Sequence, residues 1–279
     1  STRPSSNKSS PYPPRSPTRH RGHPMTTPNQ RKNLIRKLLK GIETGDPAAA
    51  AVVNESKYIQ HNPQTHEGSE GLAALFARLS KTNPRVNIVR AFADGDFVFA
   101  HTEYDFATRR IGFEVFRFEA DQAVEHWDNI QPRHGPNPSG RTMVDGPTTP
   151  TDLDRTEENR HLVRTLVQNV LIPRRLDQLP HYVDEELAQH NPNLPDGLAP
   201  WRQALEATHN ATPAIQYHHL HRTLAEGSFV LTVSEGTQAG TPTAFYDLYR
   251  LKNAKVVEHW DTTEPVPPKS EWKNNNGQF

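Results

Sequence analysis

Two short strings of ionisable residues occur twice in the chain. Val-Glu-His-Trp-Asp at 124–128 returns 133 residues later at 257–261, and Gln-His-Asn-Pro occurs at 60–63 and again at 189–192. A histidine close to a carboxylate can exchange a proton with it, which is the basis of general acid and base catalysis. The repetition indicates a tandem duplication in which each half carries the same candidate chemistry.

The five-residue string has the alternation of a β-strand. Alternation places His126 and Asp128 on one face, about 7 Å apart by the rise of two residues. A partly desolvated aspartate has a raised pKa and can act as a base near neutral pH. We therefore expect His126 with Asp128, and His259 with Asp261, to be catalytic pairs. The alternative is that the histidine only ties the strand to a helix loop.

Four further residues are placed where they could join these pairs. His61 and His190 each precede Asn-Pro, which restricts the backbone of the loop and favours a defined position at the mouth of a pocket. The alternative is an Asn-Pro turn with an imidazole facing solvent. Glu114 and Asp247 occupy matching places on the preceding predicted strand and are candidates for a second acid or base.

Four residues of the first half are candidates for the wall of a ligand pocket: His101, Tyr104, Trp127 and Arg117. Tyr104 could polarise a carbonyl group as a hydrogen-bond donor. The alternatives are structural, because His101 lies in an aromatic stripe, Trp127 has the character of a core or interface residue, and Arg117 that of a surface ion pair. Val233 stands at the place of His101 in the second half, so, if the two sites are unequal, we expect the first to be the more active.

A metal centre is the alternative use of these side chains. His61, His101 and His126 could meet with a carboxylate as a metal site. No local spacing such as His-Glu-x-x-His supports this arrangement, and the chain has no cysteine. We therefore expect neither a metal nor another cofactor.

The elements that would position these residues follow from hydrophobic periodicity. Apolar residues at helical spacing predict helices over 31–57 and 68–81 and, in the second half, over about 154–188 and 198–209. Period-two patterns then predict four strands in each half, with Asp-Gly turns between the first two strands of the first half. Helices followed by an antiparallel meander define an α+β unit.

Domain boundaries follow from the repeat and from composition. We expect one domain at 31–131 and a second at 153–263, joined by a Pro- and Gly-rich linker at 132–152. Residues 1–30 hold seven Pro and five basic but no acidic residues, and they are expected to be disordered. Residues 264–279 are expected to be a flexible C-terminal tail.

Charge and hydropathy narrow the class of partner. The chain has 32 basic and 32 acidic residues, and without the basic tail it is mildly acidic, which argues against binding nucleic acid. No apolar run reaches the 18 residues expected of a membrane span. These features predict a soluble cytoplasmic protein that contacts neither nucleic acid nor membrane.

The helices, the Gln-His-Asn-Pro loop and the closing Val-Glu-His-Trp-Asp strand together resemble the SnoaL-like branch of the NTF2-like superfamily, which includes polyketide cyclases. The resemblance extends over both halves and implies two cone-shaped domains, each with helices packed in a curved antiparallel sheet. It also implies an aspartate in the cone as general acid or base, here Asp128 and Asp261. NTF2-like domains commonly pair through their outer sheet faces, so we expect an intrachain pseudo-dimer, with higher oligomers left open.

The resemblance and the residues favour a cofactor-independent acid/base enzyme, a lyase or isomerase. Its substrate would be a small apolar carbonyl compound, which it would cyclise by an aldol-type reaction, isomerise or dehydrate. One alternative is a non-catalytic module that binds a hydrophobic ligand in each cone. The other is a metalloenzyme that uses histidine and carboxylate ligands.

Overall fold

The two halves of the chain repeat one order of elements. A computed structural model describes residues 26–65 and 71–279. The first domain contains α1 (Pro28–Thr44), α2 (Pro47–Ala50), β1 (Ile59–Gln60), α3 (Leu72–Ser80), β2 (Arg85–Asp94), β3 (Phe97–Asp105), β4 (Arg109–Glu119) and β5 (Gln122–Pro132). The second contains α4 (Thr156–Thr165), β6 (Val183–Gln189), α5 (Leu198–Glu206), β7 (Thr208–His209), β8 (Thr212–Pro213), β9 (Ile215–Glu226), β10 (Phe229–Gln238), β11 (Thr241–Lys252) and β12 (Lys255–Pro265).

Shorter helical turns complete the second domain. A 3₁₀ turn (Leu153–Arg155) precedes α4, and a π-helical segment (Leu166–Leu171) and a 3₁₀ helix (Leu176–His181) follow it. Residues 183–188 were predicted as helix and instead form most of β6. Val183 and Leu187 alternate toward the core, and β6 pairs with β12, so tertiary pairing overrides the local pattern.

Each domain has a five-stranded sheet, not the four strands predicted. The orders are β1-β5-β4-β3-β2 and β6-β12-β11-β10-β9. The long strands form the antiparallel meander as predicted, while β1 and β6 lie parallel to the closing strands β5 and β12. The added strand leads directly into the Gln-His-Asn-Pro loop, so it fixes that loop beside the closing strand. The α+β class and the duplicated domain are confirmed.

The first helix begins earlier than the predicted domain boundary at residue 31. Thr27 caps α1, its hydroxyl accepting from the Gln30 backbone while the Gln30 side chain accepts from the Thr27 backbone. The side chains of Ile35, Leu38 and Leu39 are buried against the inner face of the first sheet. Residues 26–30 are therefore part of the first domain. The remainder of the predicted tail, residues 1–25, lies outside the described residues.

The outer faces of the two sheets pack against each other. Aromatic and aliphatic residues from both sheets form one buried cluster, with Phe99, Phe113 and Trp127 from the first and Tyr246 and Trp260 from the second. Polar contacts cross the same interface in matched pairs. The Ile130 amide donates to Glu264 at 2.9 Å, and the Thr263 amide donates to Gln131 at 2.8 Å. The intrachain pseudo-dimer predicted from the resemblance is therefore the arrangement in this structure.

The segments that follow each sheet pack onto the opposite domain. Residues 264–279 were predicted to be a flexible tail, but the buried Asn274 side chain donates to Asn62 O of the first domain at 2.7 Å. Phe279 stacks on the His221 ring of the second domain, with centroids 4.3 Å apart. The predicted linker, residues 132–152, likewise packs onto the second domain through Asn137, whose side chain is buried. These polar, proline-rich segments are held by side-chain amides, which periodicity does not detect.

Among residues 26–65 and 71–279, no helix is long and apolar enough to cross a membrane.

Candidate active site in the first domain

The first domain encloses a cavity of about 660 Å³ between its helices and the inner face of its sheet. Most of the wall is apolar, including Leu38, Leu39, Ile42, Val53, Leu72, Leu75, Phe76, Phe116 and Ile130. The polar side chains Tyr104, Glu114, His126 and Asp128 converge on one region of this wall. An apolar cavity with a few convergent, titratable groups is the usual form of a small-molecule site.

His126 is the centre of the polar region. Its Nε2 lies 2.6 Å from Glu114 Oε2 and 3.9 Å from Asp128 Oδ2. Its Nδ1 lies 2.8 Å from Gln60 Oε1. β4 and β5 pair antiparallel with Glu114 directly opposite Asp128, so the register brings both carboxyl groups to one side of the sheet. The predicted neighbours His126 and Asp128 thus share a face and both line the cavity.

Gln60 fixes the tautomer of His126. The backbone N–H of Asn62 donates to Gln60 Oε1 at 3.0 Å, so this atom is the amide oxygen and an acceptor. His126 Nδ1 must then carry a hydrogen and donate to it. In a neutral imidazole the lone pair is on Nε2, which faces Glu114. Either Glu114 is protonated and donates to Nε2, or the proton has moved to the histidine; one proton occupies this 2.6 Å contact.

The two carboxyl groups of the cavity are unusually weak acids. Burial raises the pKa of Glu114 to about 7, against the lowering effect of the Tyr104 hydroxyl, which donates to it at 2.7 Å. Burial and the neighbouring Glu114 raise the pKa of Asp128 to about 7. Burial lowers the pKa of His126. Near neutral pH the region therefore holds a neutral imidazole and carboxyl groups poised between acid and base.

Asp128 is positioned by the loop after β1. The Asn62 side-chain amide donates to Asp128 Oδ2 at 3.2 Å. This hydrogen bond favours the charged carboxylate and opposes the effect of burial on its pKa. Asp128 is consequently the carboxyl group best supported as a base, and Glu114, held against the Nε2 lone pair, is the one best supported as an acid.

Four predicted residues do not reach this cavity. His61 lies on the opposite face of the sheet, with its Nε2 2.9 Å from Glu125 Oε1 and its ring stacked on Trp127. Trp127 itself faces the second domain. Arg117 is paired with Glu125 at 2.7 Å on that outer face. The predicted positions of these residues at the pocket are wrong, because odd positions of β4 and β5 face away from the cavity.

His101 is also an interface residue and not part of the pocket. Odd positions of β3 face the second sheet, and His101 accepts a hydrogen bond from the Arg90 guanidinium at 2.6 Å. Burial and Arg90 hold the pKa of His101 well below its usual range. The first-domain site therefore contains one histidine instead of three. The expectation of a more active first site loses the support it drew from His101.

Sequence reasoning missed Gln60, Asn62 and Tyr58, which all line the cavity. The first two were visible as part of the repeated Gln-His-Asn-Pro string. Alternation about His61 would have placed both amides on the face opposite to the imidazole. Tyr58 carries no repeated signal, since Leu187 stands at the corresponding place two residues before the second copy.

The second domain repeats the hydrogen-bond network. Gln189 Oε1 accepts from His259 Nδ1 at 2.9 Å, and His259 Nε2 lies 2.8 Å from Asp247 Oδ1. The Asn191 amide donates to Asp261 at 2.9 Å. The predicted role of His190 in this site is wrong, because His190, like His61, lies on the outer face, where its ring is stacked on Trp260.

The second site differs from the first in the charge of its histidine and in the side chain that covers that histidine. Hydrogen bonding to Asp247 raises the pKa of His259 despite its burial, so this pair favours an imidazolium and a carboxylate. The Trp201 ring stacks on His259 with centroids 5.3 Å apart. Leu75 holds the corresponding place on α3 and lines the open cavity of the first domain. A bulky side chain therefore covers in the second domain the imidazole that the first leaves beside a cavity.

Among residues 26–65 and 71–279, two sets of donor atoms are compact enough to hold a cation. Donor atoms of Glu114, His126 and Asp128 lie within 4.8 Å of one another, as do those of Asp247, His259 and Asp261. The metal site predicted as an alternative from the sequence, with His61, His101 and His126, does not form, because His61 and His101 lie on the outer face. Two carboxylates and an imidazole suit several divalent cations, but the internal hydrogen bonds already use the facing lone pairs.

Residues 35–126 match the SnoaL-like domain. The matched range runs from α1 into β5 and includes Glu114 and His126, while Asp128 lies two residues beyond it. The match therefore lies within the first domain. No curated protein sequence matches the chain.

Solved structures resemble single domains of the chain. An NTF2-like protein of unknown function from Burkholderia xenovorans is 15% identical, with a TM-score of 0.36, covering 44% of this chain and 99% of its own. An epoxide hydrolase from Mycobacterium tuberculosis is 16% identical, with a TM-score of 0.32, covering 39% and 85%. A SnoaL-like polyketide cyclase from Agrobacterium tumefaciens is 12% identical, with a TM-score of 0.32, covering 38% and 91%.

Proposed function

We propose that the first domain is an acid/base enzyme for a small apolar carbonyl compound. The proposal is carried by one observation: two carboxyl groups with pKa values near 7 meet a neutral imidazole at the wall of an apolar cavity. Groups with pKa values close to ambient pH transfer protons most effectively in both directions. The second domain is proposed to be a second SnoaL-like copy with a covered site.

The proposed reaction begins with proton transfer from carbon. The Asp128 carboxylate takes a proton from the carbon next to the substrate carbonyl, and the electron pair moves into the enolate. Glu114, which accepts from the Tyr104 hydroxyl, turns its proton from His126 Nε2 to the enolate oxygen and so stabilises it. In a cyclisation, the enolate carbon attacks a second carbonyl of the same molecule, and the new alkoxide takes the proton from Asp128. In a dehydration, a hydroxyl group leaves as water with that proton. In an isomerisation, Asp128 returns the proton to another carbon. His126 keeps the shared proton near Glu114 during this cycle.

The first test measures proton transfer directly with Asp128→Asn. The probe is 2-decalone, a bicyclic apolar ketone, incubated with the protein in D₂O and followed by NMR for deuteration next to the carbonyl. We expect the wild-type protein to catalyse deuteration and Asp128→Asn to lose roughly 10²–10⁴-fold of that rate. The fold should survive, since asparagine can still accept from the Asn62 amide.

Asp261→Asn is the matched control. It removes the corresponding carboxylate beneath the covered second site, so the deuteration rate should stay within a factor of two or so of wild type. If 2-decalone binds but is deuterated at equal rates with the wild-type protein and with Asp128→Asn, the proposed enzyme activity is rejected and the non-catalytic binding module is favoured. Loss of deuteration in Asp261→Asn alone would show that the reaction takes place in the second domain and not in the first.

A further inference from the structure

The C-terminal segment 273–277 lies across the loop that carries Gln60 and Asn62. The Lys273 amide donates to Pro63 O at 2.7 Å. The Asn274 side chain donates to two carbonyls of the same loop, Asn62 O at 2.7 Å and Thr65 O at 2.9 Å. The segment thus binds successive backbone carbonyls of a loop that belongs to the other domain.

Two more contacts extend this clamp to the start of the loop. The Asn276 side chain donates to Gln60 O at 2.8 Å. Gly277 O accepts from His61 Nδ1 at 2.8 Å. Loop 60–65 is therefore held on its outer side by the C-terminal segment, and on its inner side it presents the Gln60 and Asn62 amides to His126 and Asp128.

The linker makes the reciprocal clamp on the second domain. The Asn137 side chain donates to Gln189 O at 2.7 Å and to Asn191 O at 3.3 Å. His190 Nδ1 donates to Thr142 O at 2.7 Å. Both clamps start from an Asn-x-x-Gly turn, Asn137 to Gly140 and Asn274 to Gly277, in which the glycines adopt φ 79° and 81°. The same local device has been kept at both sites.

We propose that Asn274 is a positioning residue for the first site. It acts through loop 60–65: its amide holds the carbonyls of Asn62 and Thr65, and the Asn62 backbone N–H in turn donates to Gln60 Oε1. Gln60 sets the tautomer of His126, and the Asn62 side chain sets the orientation of Asp128. Each domain thereby completes the proton network of the other. In calling that network a catalytic site the inference rests on the proposed function, but the tautomer of His126 does not.

The test compares Asn274→Ala with Asn137→Ala in the full chain. The ¹⁵N chemical shifts of labelled histidine report which ring nitrogen carries hydrogen, with His126 and His259 assigned by their loss in His126→Asn and His259→Asn. In wild type we expect His126 to be the Nδ1–H tautomer. In Asn274→Ala, His126 should become a mixture of tautomers while His259 is unchanged. Asn137→Ala should change the ¹⁵N shifts of His259, which favours an imidazolium, and leave those of His126 as in wild type.

A kinetic measurement completes the test. Asn274→Ala should lower the deuteration rate of 2-decalone by on the order of ten- to a hundredfold, through kcat more than KM, while Asn137→Ala retains it. Thermal melting of both variants establishes that they are folded. Unchanged His126 shifts in folded Asn274→Ala would overturn the positioning role. If Asn274→Ala changes the tautomer of His126 but the wild-type protein does not deuterate 2-decalone, the positioning role is supported and the proposed function is rejected.

Discussion

Gln60 is not ionisable, yet it determines where a proton can lie in the first site. Its oxygen accepts from a backbone amide and from His126, so the imidazole lone pair can face only Glu114. The second domain keeps the same amide, Gln189, but pairs its histidine with the shorter Asp247. In the first domain burial makes Glu114 a weaker acid, whereas in the second domain the hydrogen bond to Asp247 makes His259 a stronger base. Similar residues therefore favour different protonation states.

The raised pKa values of Glu114 and Asp128 predict how stability depends on pH. A carboxyl group whose pKa is raised in the folded state contributes stability below its unfolded value near 4, and this contribution is lost as pH rises through about 7. Glu114→Gln removes one such group, and its amide can still donate to His126 and accept from Tyr104. We expect urea unfolding to show a smaller loss of stability between pH 5 and pH 8 in Glu114→Gln than in wild type.

Glu119→Gln, an exposed position on the same strand, is the control and should keep the wild-type dependence. Equal slopes for wild type and Glu114→Gln would mean that Glu114 is ionised with an ordinary affinity for protons.

Strand alternation predicted the residues of the site that lie on long strands and misled us in the loop. His126, Asp128 and Glu114 were placed correctly because four or more strand residues on each side define their faces. His61 drew attention as the ionisable member of Gln-His-Asn-Pro, yet the site uses its neighbours Gln60 and Asn62. A two-residue strand gives too short a pattern to show which side faces inward.

At the scale of elements, each sheet presents a tyrosine hydroxyl to its own copy of the third-strand carboxyl group, but the two tyrosines come from different strands. Tyr104 donates to Glu114 from β3, whereas Tyr217 donates to Asp247 from β9, the counterpart of β2. Each arrangement needs a glycine. Gly112 on β4 leaves room for Tyr104, and Gly236 on β10 stands where that tyrosine would be. The exchange explains why Tyr104 has no aligned partner in the second half.

Gly112→Ala tests whether this space is required. An added Cβ would lie 2.5 Å from Tyr104 Cε2 and 2.7 Å from Thr102 Oγ1, so the tyrosine must leave Glu114. We expect a loss of roughly 1–3 kcal/mol in the free energy of unfolding, the usual range for overpacking. Chemical denaturation measures the stability, and the same preparation should show a slower deuteration of 2-decalone.

Gly71→Ala is the comparison, because a Cβ there meets no atom within 4 Å. Its loss should be below about 1 kcal/mol, the scale of a helix-cap change. Equal stabilities for the two variants would show that β3 adjusts freely around Tyr104.

The order and type of the long elements were predictable because periodicity is strong over nine or more residues. The fifth strands were not, since β1 contributes two residues whose partners lie more than sixty positions away in the sequence. Local propensity carries no information about such pairing. For the same reason the terminal segments, which lack periodicity, were mistaken for flexible chain.

At the scale of the whole molecule, one matched pair of contacts across the interface between the sheets differs in charge. Gln131 accepts from the second sheet, and its counterpart Glu264 accepts from the first. Burial raises the pKa of Glu264 to about 8. The interface therefore holds a carboxyl group at a place where an amide makes the same contact without a charge.

Glu264→Gln should stabilise the molecule in alkaline solution. In wild type the contribution of protonated Glu264 is complete below about 4.5 and is lost as pH rises through about 8. Relative to wild type, Glu264→Gln should gain roughly 1–3 kcal/mol in the free energy of unfolding between pH 6 and pH 9. Urea titrations at these two pH values measure the difference.

The reciprocal variant Gln131→Glu should do the opposite and add a pH-dependent loss. Identical behaviour of both variants and wild type across this range would place Glu264 in contact with bulk water and remove it from the interface.

The crossed clamps also impose an order in time. A ribosome makes residues 273–277 after both sheets, and these residues hold the loop of the domain that was made first. The second domain can receive its clamp from the linker while synthesis continues, but the first domain waits for chain that lies more than two hundred residues downstream of its loop. Folding of the earlier half is therefore finished by the later one, and the proton network of the open cavity becomes complete last.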